Sequence, residues 1–267
     1  MRRRALRQAV RFSMALMLLG LLPLPLPGAA STAAAQEPLL VDGDFEANDA
    51  GKELRRRERP QGWYESRRNG DGRMQLKLST KKIYGNATRK AMIKAHPELN
   101  TYLSQKFSRP MEERFTLKWD LAVREILPSY NRSAFQMVGD ASAKGRGPNA
   151  TGKERFVFLG FENAAEVGKI NLFAFEGGKQ WDKKRILVTD LQIRHWYTIV
   201  VEIDVENERY WVSIPHITDK SIEVRAYDSK GGPPDKLTHI SFASWNDGPG
   251  TFYVDNVERL LPEPLPD

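Results

Sequence analysis

The chain has 267 residues, of which 40% are apolar, 28% charged and 10% aromatic; that is ample for a packed core and excludes a disordered or fibrous protein. It has no cysteine, which removes disulfide frameworks, Cys-ligated zinc, iron–sulfur clusters and thiol catalysis. The formal charge of +7 is misleading, because residues 1–35 hold five of the 41 bases and no acid, leaving 36 bases against 34 acids. A near-neutral remainder gives no general support for a nucleic-acid partner, and none is expected.

In chain order, Arg2, Arg3, Arg4, Arg7 and Arg11 form a positive n-region, residues 14–22 an apolar stretch, and Ala33-Ala34-Ala35 a small-residue cleavage pattern before Gln36. These are the parts of a secretory signal peptide. The nine residues of the apolar stretch reach only about half of the ~30 Å hydrocarbon core, too short for an anchor. Residues 1–35 are therefore read as a signal peptide, with export to a periplasmic or extracellular location.

Residues 36–260 read as one all-β domain. Residues 115–123 alternate, with Phe115, Leu117, Trp119, Leu121 and Val123 on one face and Thr116, Lys118 and Asp120 on the other. Residues 156–161 and 170–175 are nearly continuous apolar runs, as in strands inside a sandwich. Residues 86–95 fit a short helix or a strand. Gly/Pro/Asn/Asp clusters punctuate the runs, and residues 261–267, with three prolines, are expected to be a loose tail. A hairpin is read between residues 197–204 and 209–216. Pairing Ile203 with Tyr210, Val201 with Val212, Ile199 with Ile214 and Tyr197 with His216 brings apolar faces into register around Glu206-Asn207. The other face then pairs Asp204 with Arg209 and Glu202 with Trp211.

Two end motifs carry a resemblance. The segment Asp42-Gly43-Asp44-Phe45-Glu46 followed by Pro60-Gln61-Gly62-Trp63, and the closing Tyr253-Val254-Asp255-Asn256-Val257, resemble the first and last strands of jelly-roll carbohydrate-binding modules. Residues 102–107 and 115–123 look like their middle strands. The second half, with Trp196-Tyr197 opening a strand and residues 210–214 returning, resembles the laminin-G-like, concanavalin A-like sandwiches. The resemblance implies an antiparallel jelly-roll β-sandwich that binds polysaccharide. It also implies a structural calcium ion shared by Glu46 and Asp255, with Asp44 or Asp42 adding oxygen; the alternative is that Glu46 and Asp255 each take a hydrogen bond or an arginine.

For catalysis, Glu202-Ile203-Asp204-Val205-Glu206 matches the E-x-D-x-E pattern of laminarinase- and lichenase-type glycoside hydrolases, which set three carboxylates on one strand face. Against it, Glu206 falls on the hairpin turn, where water screens a carboxylate. The four histidines, His96, His195, His216 and His239, show no metal-ligand spacing, and there is no G-x-S-x-G elbow. The expectation is therefore a non-catalytic binder, the hydrolase or an envelope protein-binding module being the alternatives. Sugars stack on aromatic faces, so Trp63, Tyr64, Trp181, Trp211 and Trp245 are the candidate ligand platforms, while Trp119 has the parity of the core. Between Lys52 and Lys94 lie fourteen bases and four acids; this points to an anionic polysaccharide, unless residues 55–59 are simply a solvated loop.

Overall fold

The computed structural model describes residues 37–47, 62–65, 76–94, 100–128, 131–141, 147–148, 154–177, 183–227, 232–245 and 248–261. The expected signal peptide, the Arg55–Arg59 run, His96, Trp181 and all but the first residue of the proline tail lie outside them. Among the described residues there is no helix, and fourteen strands form two seven-stranded sheets.

The first sheet runs β1 (Tyr64–Glu65), β4 (Thr101–Met111), β13 (Leu237–Ser244), β6 (Arg132–Gly139), β7 (Arg155–Asn163), β8 (Lys169–Phe175) and β9 (Lys184–Gln192). The second runs β12 (Ile222–Arg225), β11 (Arg209–Ser213), β10 (Trp196–Asp204), β5 (Phe115–Ile126), β14 (Gly250–Leu260), β3 (Lys90–Ile93) and β2 (Leu76–Ser79). Every pairing is antiparallel, and strands distant in sequence lie side by side. This is a jelly-roll β-sandwich.

Strand alternation supplies the core. On β5, Phe115, Leu117, Trp119, Leu121 and Val123 are buried, and so are Tyr197, Ile199, Val201 and Ile203 of β10. Trp119 meets Phe242 of the opposite sheet edge-on, with ring centroids 5.8 Å apart, and its Nε1 donates to Gln136 Oε1 at 2.8 Å. That bond satisfies a donor sealed from water. The β10–β11 hairpin has the register that its alternation dictates, from Val201 opposite Val212 to Asp204 opposite Arg209. The ladder stops at Ser213, because Ile214 turns, its carbonyl accepting from the N–H of Ile217 and of Thr218. Ile214 stays buried, but His216 is exposed at φ 67° rather than opposite Tyr197.

The apolar runs at 156–161 and 170–175 are continuous because the first sheet is covered on both faces. One face packs on the second sheet. The other carries Tyr102, Phe135, Met137, Phe158, Phe173, Phe175, Tyr227 and Trp245, all buried. The chain leaving β12 crosses onto this face: the N–H of Ala226 donates to Glu208 O (2.8 Å) and that of Tyr227 to Phe156 O (2.9 Å), while the Tyr227 ring stands edge-on to Phe158 at 5.2 Å. Gly160 makes room for the cluster, since a Cβ there would lie 2.6 Å from Phe173 Cζ.

Near residues 86–95 the structure takes the strand alternative, and one other local reading is corrected. Residues 90–93 are a strand, and the residues before it form a turn closed by Ile83 and Asn86, with Tyr84 at φ 47° and Gly85 at φ 92°. Residues 42–46, which the resemblance makes a strand, are a turn: Phe45 N–H donates to Asp42 O at 3.1 Å, and Asp42 and Phe45 both have positive φ. The turn aims Phe45 into the core, where it packs on Trp63 at 5.1 Å. The two ends of the fold nevertheless meet. Val257 N–H donates to Gly43 O at 2.9 Å, so closely that a Cβ on Gly43 would lie 1.8 Å from Val257 O.

Candidate functional site

The five aromatic candidates separate by burial. Trp63 is 3% exposed, packs between Phe45 and Phe242, and donates from Nε1 to Asp42 O at 2.8 Å; it is a core residue with no free face. Trp245 is stacked on Phe135 at 4.0 Å inside the second aromatic cluster, where Arg155 lies over both Trp245 (5.0 Å) and Phe158 (4.5 Å). Tyr64 is buried on β1, opposite Ser104. Trp181 lies outside the described residues. Trp211 alone among the described candidates is partly exposed on the outer face of a sheet.

Its surroundings are polar and ordered. Trp211 sits on β11, directly opposite Glu202 of β10 on one side and Glu223 of β12 on the other. Arg114 donates to Glu202 Oε1, from Nε at 2.5 Å and also from Nη2, and Arg209 Nη1 lies 3.6 Å from Glu223 Oε1. Both guanidinium groups also lie against the indole, 5.1 Å and 5.5 Å from its centroid. Guanidinium against an aromatic face is a favourable contact, and here it holds the ring between two Arg–Glu pairs. An aromatic surface flanked by fixed donors and acceptors has the composition a sugar-binding surface needs.

A second aromatic group on the same outer face escaped the sequence reading. Tyr253 lies against both Trp196 (6.4 Å between ring centroids) and Tyr84 (6.0 Å), and Trp196 Nε1 donates to Ile83 O at 2.9 Å. Parity was the available signal, because residues 196 and 202 of β10 point to the same face. The span between Trp196 and Glu202 is about 20 Å along the strand.

The three carboxylates of the E-x-D-x-E pattern have different surroundings. Glu202 is ion-paired to Arg114, and Glu206 is exposed in the hairpin turn. Asp204 is buried, and it bonds Asn207 rather than Arg209, accepting from Asn207 N at 3.0 Å and from Nδ2 at 2.9 and 3.0 Å. Burial pushes its carboxyl up, but the Asn207 hydrogen bonds, with Arg114 and Arg209 nearby, outweigh it and hold the group below the usual range. Its hydrogen bonds to Asn207 close the hairpin turn. His195 and His216 are exposed. His239 is buried, and its Nδ1 meets Thr238 Oγ1 at 2.8 Å, while that hydroxyl donates to Asp140 Oδ1 at 2.7 Å. One hydroxyl carries one proton, so Nδ1 must be the donor to Thr238.

The acids of the expected calcium site are brought near one loop, where each accepts hydrogen bonds from the protein. Asp255 Oδ2 accepts from Asn86 Nδ2 and Thr88 Oγ1, both at 2.8 Å, and its Oδ1 accepts from Asn256 N at 2.9 Å. Glu46 Oε1 accepts from Arg89 N at 2.6 Å. Asp42 and Asp44 bond the backbone of their own turn, at Ala47 N and Glu46 N. Burial pushes Asp42 up to about 6, with Asp44 beside it adding to the rise and the Ala47 hydrogen bond opposing it. Among the described residues no three His, Asp or Glu side chains converge. In the same loop the carbonyls of Lys81, Asn86 and Thr88 accept from the ammonium of Lys90.

No family model matches the chain, and no curated protein does. Among solved structures it is similar to a sialidase, at 9% identity and TM-score 0.46, over 75% of this chain but 17% of that one. It is also similar to the catalytic domain of a glycoside hydrolase family 131 protein from Coprinopsis cinerea (11% identity, 85% of this chain, 96% of that one, TM-score 0.48). An alginate lyase from Pseudomonas aeruginosa matches at 10% identity over 65% of this chain and 83% of that one, TM-score 0.43. Likenesses at this level carry no argument about chemistry, which rests on the residues themselves.

Proposed function

We propose that the protein is an exported, non-catalytic polysaccharide-binding β-sandwich whose ligand lies on the outer face of the second sheet at Trp211. The observation that carries this reading is the partly exposed indole set between the Arg114–Glu202 and Arg209–Glu223 pairs. Paired charges of this kind offer fixed donors and acceptors to sugar hydroxyls, and the ring offers a surface to the C–H face of a pyranose. The guanidinium groups also suit an anionic sugar. Export rests on the charge, apolar and small-residue pattern of residues 1–35. No helix among the described residues is long and apolar enough to cross a membrane.

The test is a glycan array on residues 36–267, with Trp211→Ala beside wild type, and a reducing-sugar assay on β-1,3- and β-1,4-glucans. The reading expects wild-type hits that the variant loses, and no turnover. Turnover lost in Glu202→Ala or Glu206→Ala would replace it with the hydrolase; an array without hits would favour a protein-binding module.

A further inference from the structure

We propose that Lys90 is a tethered cation, its ammonium filling the place of a bound metal ion where the first segment, the last strand and the loop between β2 and β3 meet. Lysine is rarely buried, since its charge loses hydration, yet Lys90 has no exposed surface at all. Its Nζ donates to three backbone carbonyls, Lys81 O at 3.0 Å, Asn86 O at 3.2 Å and Thr88 O. Three donors thus meet three acceptors, the full capacity of an ammonium.

The same loop delivers Asn86 and Thr88 to the Asp255 carboxylate, and Arg89 N–H to Glu46. Asp255 is as fully buried as Lys90. Burial works against both charges, lowering the Lys90 ammonium and raising the Asp255 carboxyl, and each charge, with Glu46 acting on Lys90, offsets part of that penalty for the other. A fixed positive charge, a cage of carbonyl oxygens and anions from two further segments are the parts of a cation site. Here the cation arrives on a side chain, so the junction needs neither uptake nor retention of an ion. A buried charge left alone is strongly destabilising, whereas removing both members of a pair is far better tolerated.

The first experiment needs no variant. Native protein treated briefly with an N-hydroxysuccinimide acetate ester and mapped by mass spectrometry should be acetylated at the exposed Lys77, Lys81, Lys82 and Lys94 and spared at Lys90. Melting curves in EDTA and in millimolar calcium should coincide. Lys90→Met should lower Tm by about 10 °C, and the double variant Lys90→Met/Asp255→Asn should recover part of the loss. In Lys90→Ala, ammonium or methylammonium chloride should raise Tm where equal sodium chloride does not. Acetylation of Lys90 at the rate of its neighbours, or a Tm that rises with calcium and falls with EDTA in the wild type, would overturn the proposal. So would a double variant less stable than Lys90→Met.

Discussion

Acid should unfold this domain partly through one buried imidazole. His239 sits at 3% exposure on β13, and burial, followed by the repulsion of Lys106, lowers its pKa from 6.5 to about 4 against the opposing pull of Asp140. The folded state therefore keeps His239 neutral, while the unfolded chain protonates it from pH 6.5 downward. The unfolded state binds more protons in that window, so stability is complete above pH 6.5 and falls as pH drops toward 4. With each pKa unit equivalent to about 1.4 kcal/mol, lowering the pH from 7 to 4.5 costs about 2–3 kcal/mol through this residue alone. Asp42 works in the opposite direction: its raised pKa of about 6 makes its contribution present at low pH and lost as pH rises through that value. Its partial exposure shrinks the effect. Comparing wild type with His239→Asn cancels the Asp42 contribution, and the asparagine amide keeps a donor for Thr238. Urea unfolding of both proteins at pH 7 and pH 4.5 is the assay. Wild type should lose about 2–3 kcal/mol more than the variant over that interval. Equal losses would refute the assignment of the acid sensitivity to His239.

Three further outcomes follow from single contacts. Trp119→Phe keeps the ring between the sheets but leaves Gln136 Oε1 without its donor, and urea unfolding should show a loss of about 1–3 kcal/mol; an unchanged midpoint would contradict the role of that bond. Gly160→Val drives a side chain into Phe173 and Phe135 and should cost about 1–3 kcal/mol by overpacking, with near-ultraviolet circular dichroism reporting the displaced aromatic cluster. If the basic stretch between Lys52 and Lys94 recognises an anionic polysaccharide, retention on heparin or alginate should be strong at low ionic strength and fall steeply with salt; no retention at low salt removes the anionic preference.

Elements with one wet face were legible in the sequence. The β10–β11 register followed from period-two alternation, because a slip of one residue would have put Ile203 and Val201 in water and Glu202 in the core. Trp119 was placed in the core by the same parity. That logic fails for the first sheet, whose two faces are both covered: Phe158 sits in a continuous apolar run and Trp245 between Ser244 and Asn246, and nothing local says that Tyr227 packs over them. The burial of Trp63 is not legible, because the turn that brings Phe45 against it depends on positive φ at Asp42 and Phe45, which no pattern encodes. Lys90 is one of fourteen bases in its stretch, and only the folded loop shows that three carbonyls turn inward to meet it. Trp211 lies on the outer face that alternation gives it, because its strand is one-sided and its cross-strand neighbours are acids.

The most direct test of the account is affinity electrophoresis of the folded domain in gels containing laminarin, a soluble β-1,4-glucan or alginate. Wild type should be retarded by at least one of the three. Trp211→Ala, with an unchanged Tm, should bind at least tenfold more weakly, a loss of about 1.4 kcal/mol or more. Equal retardation of the two proteins, or free migration of the wild type in all three gels, would contradict a polysaccharide site at Trp211.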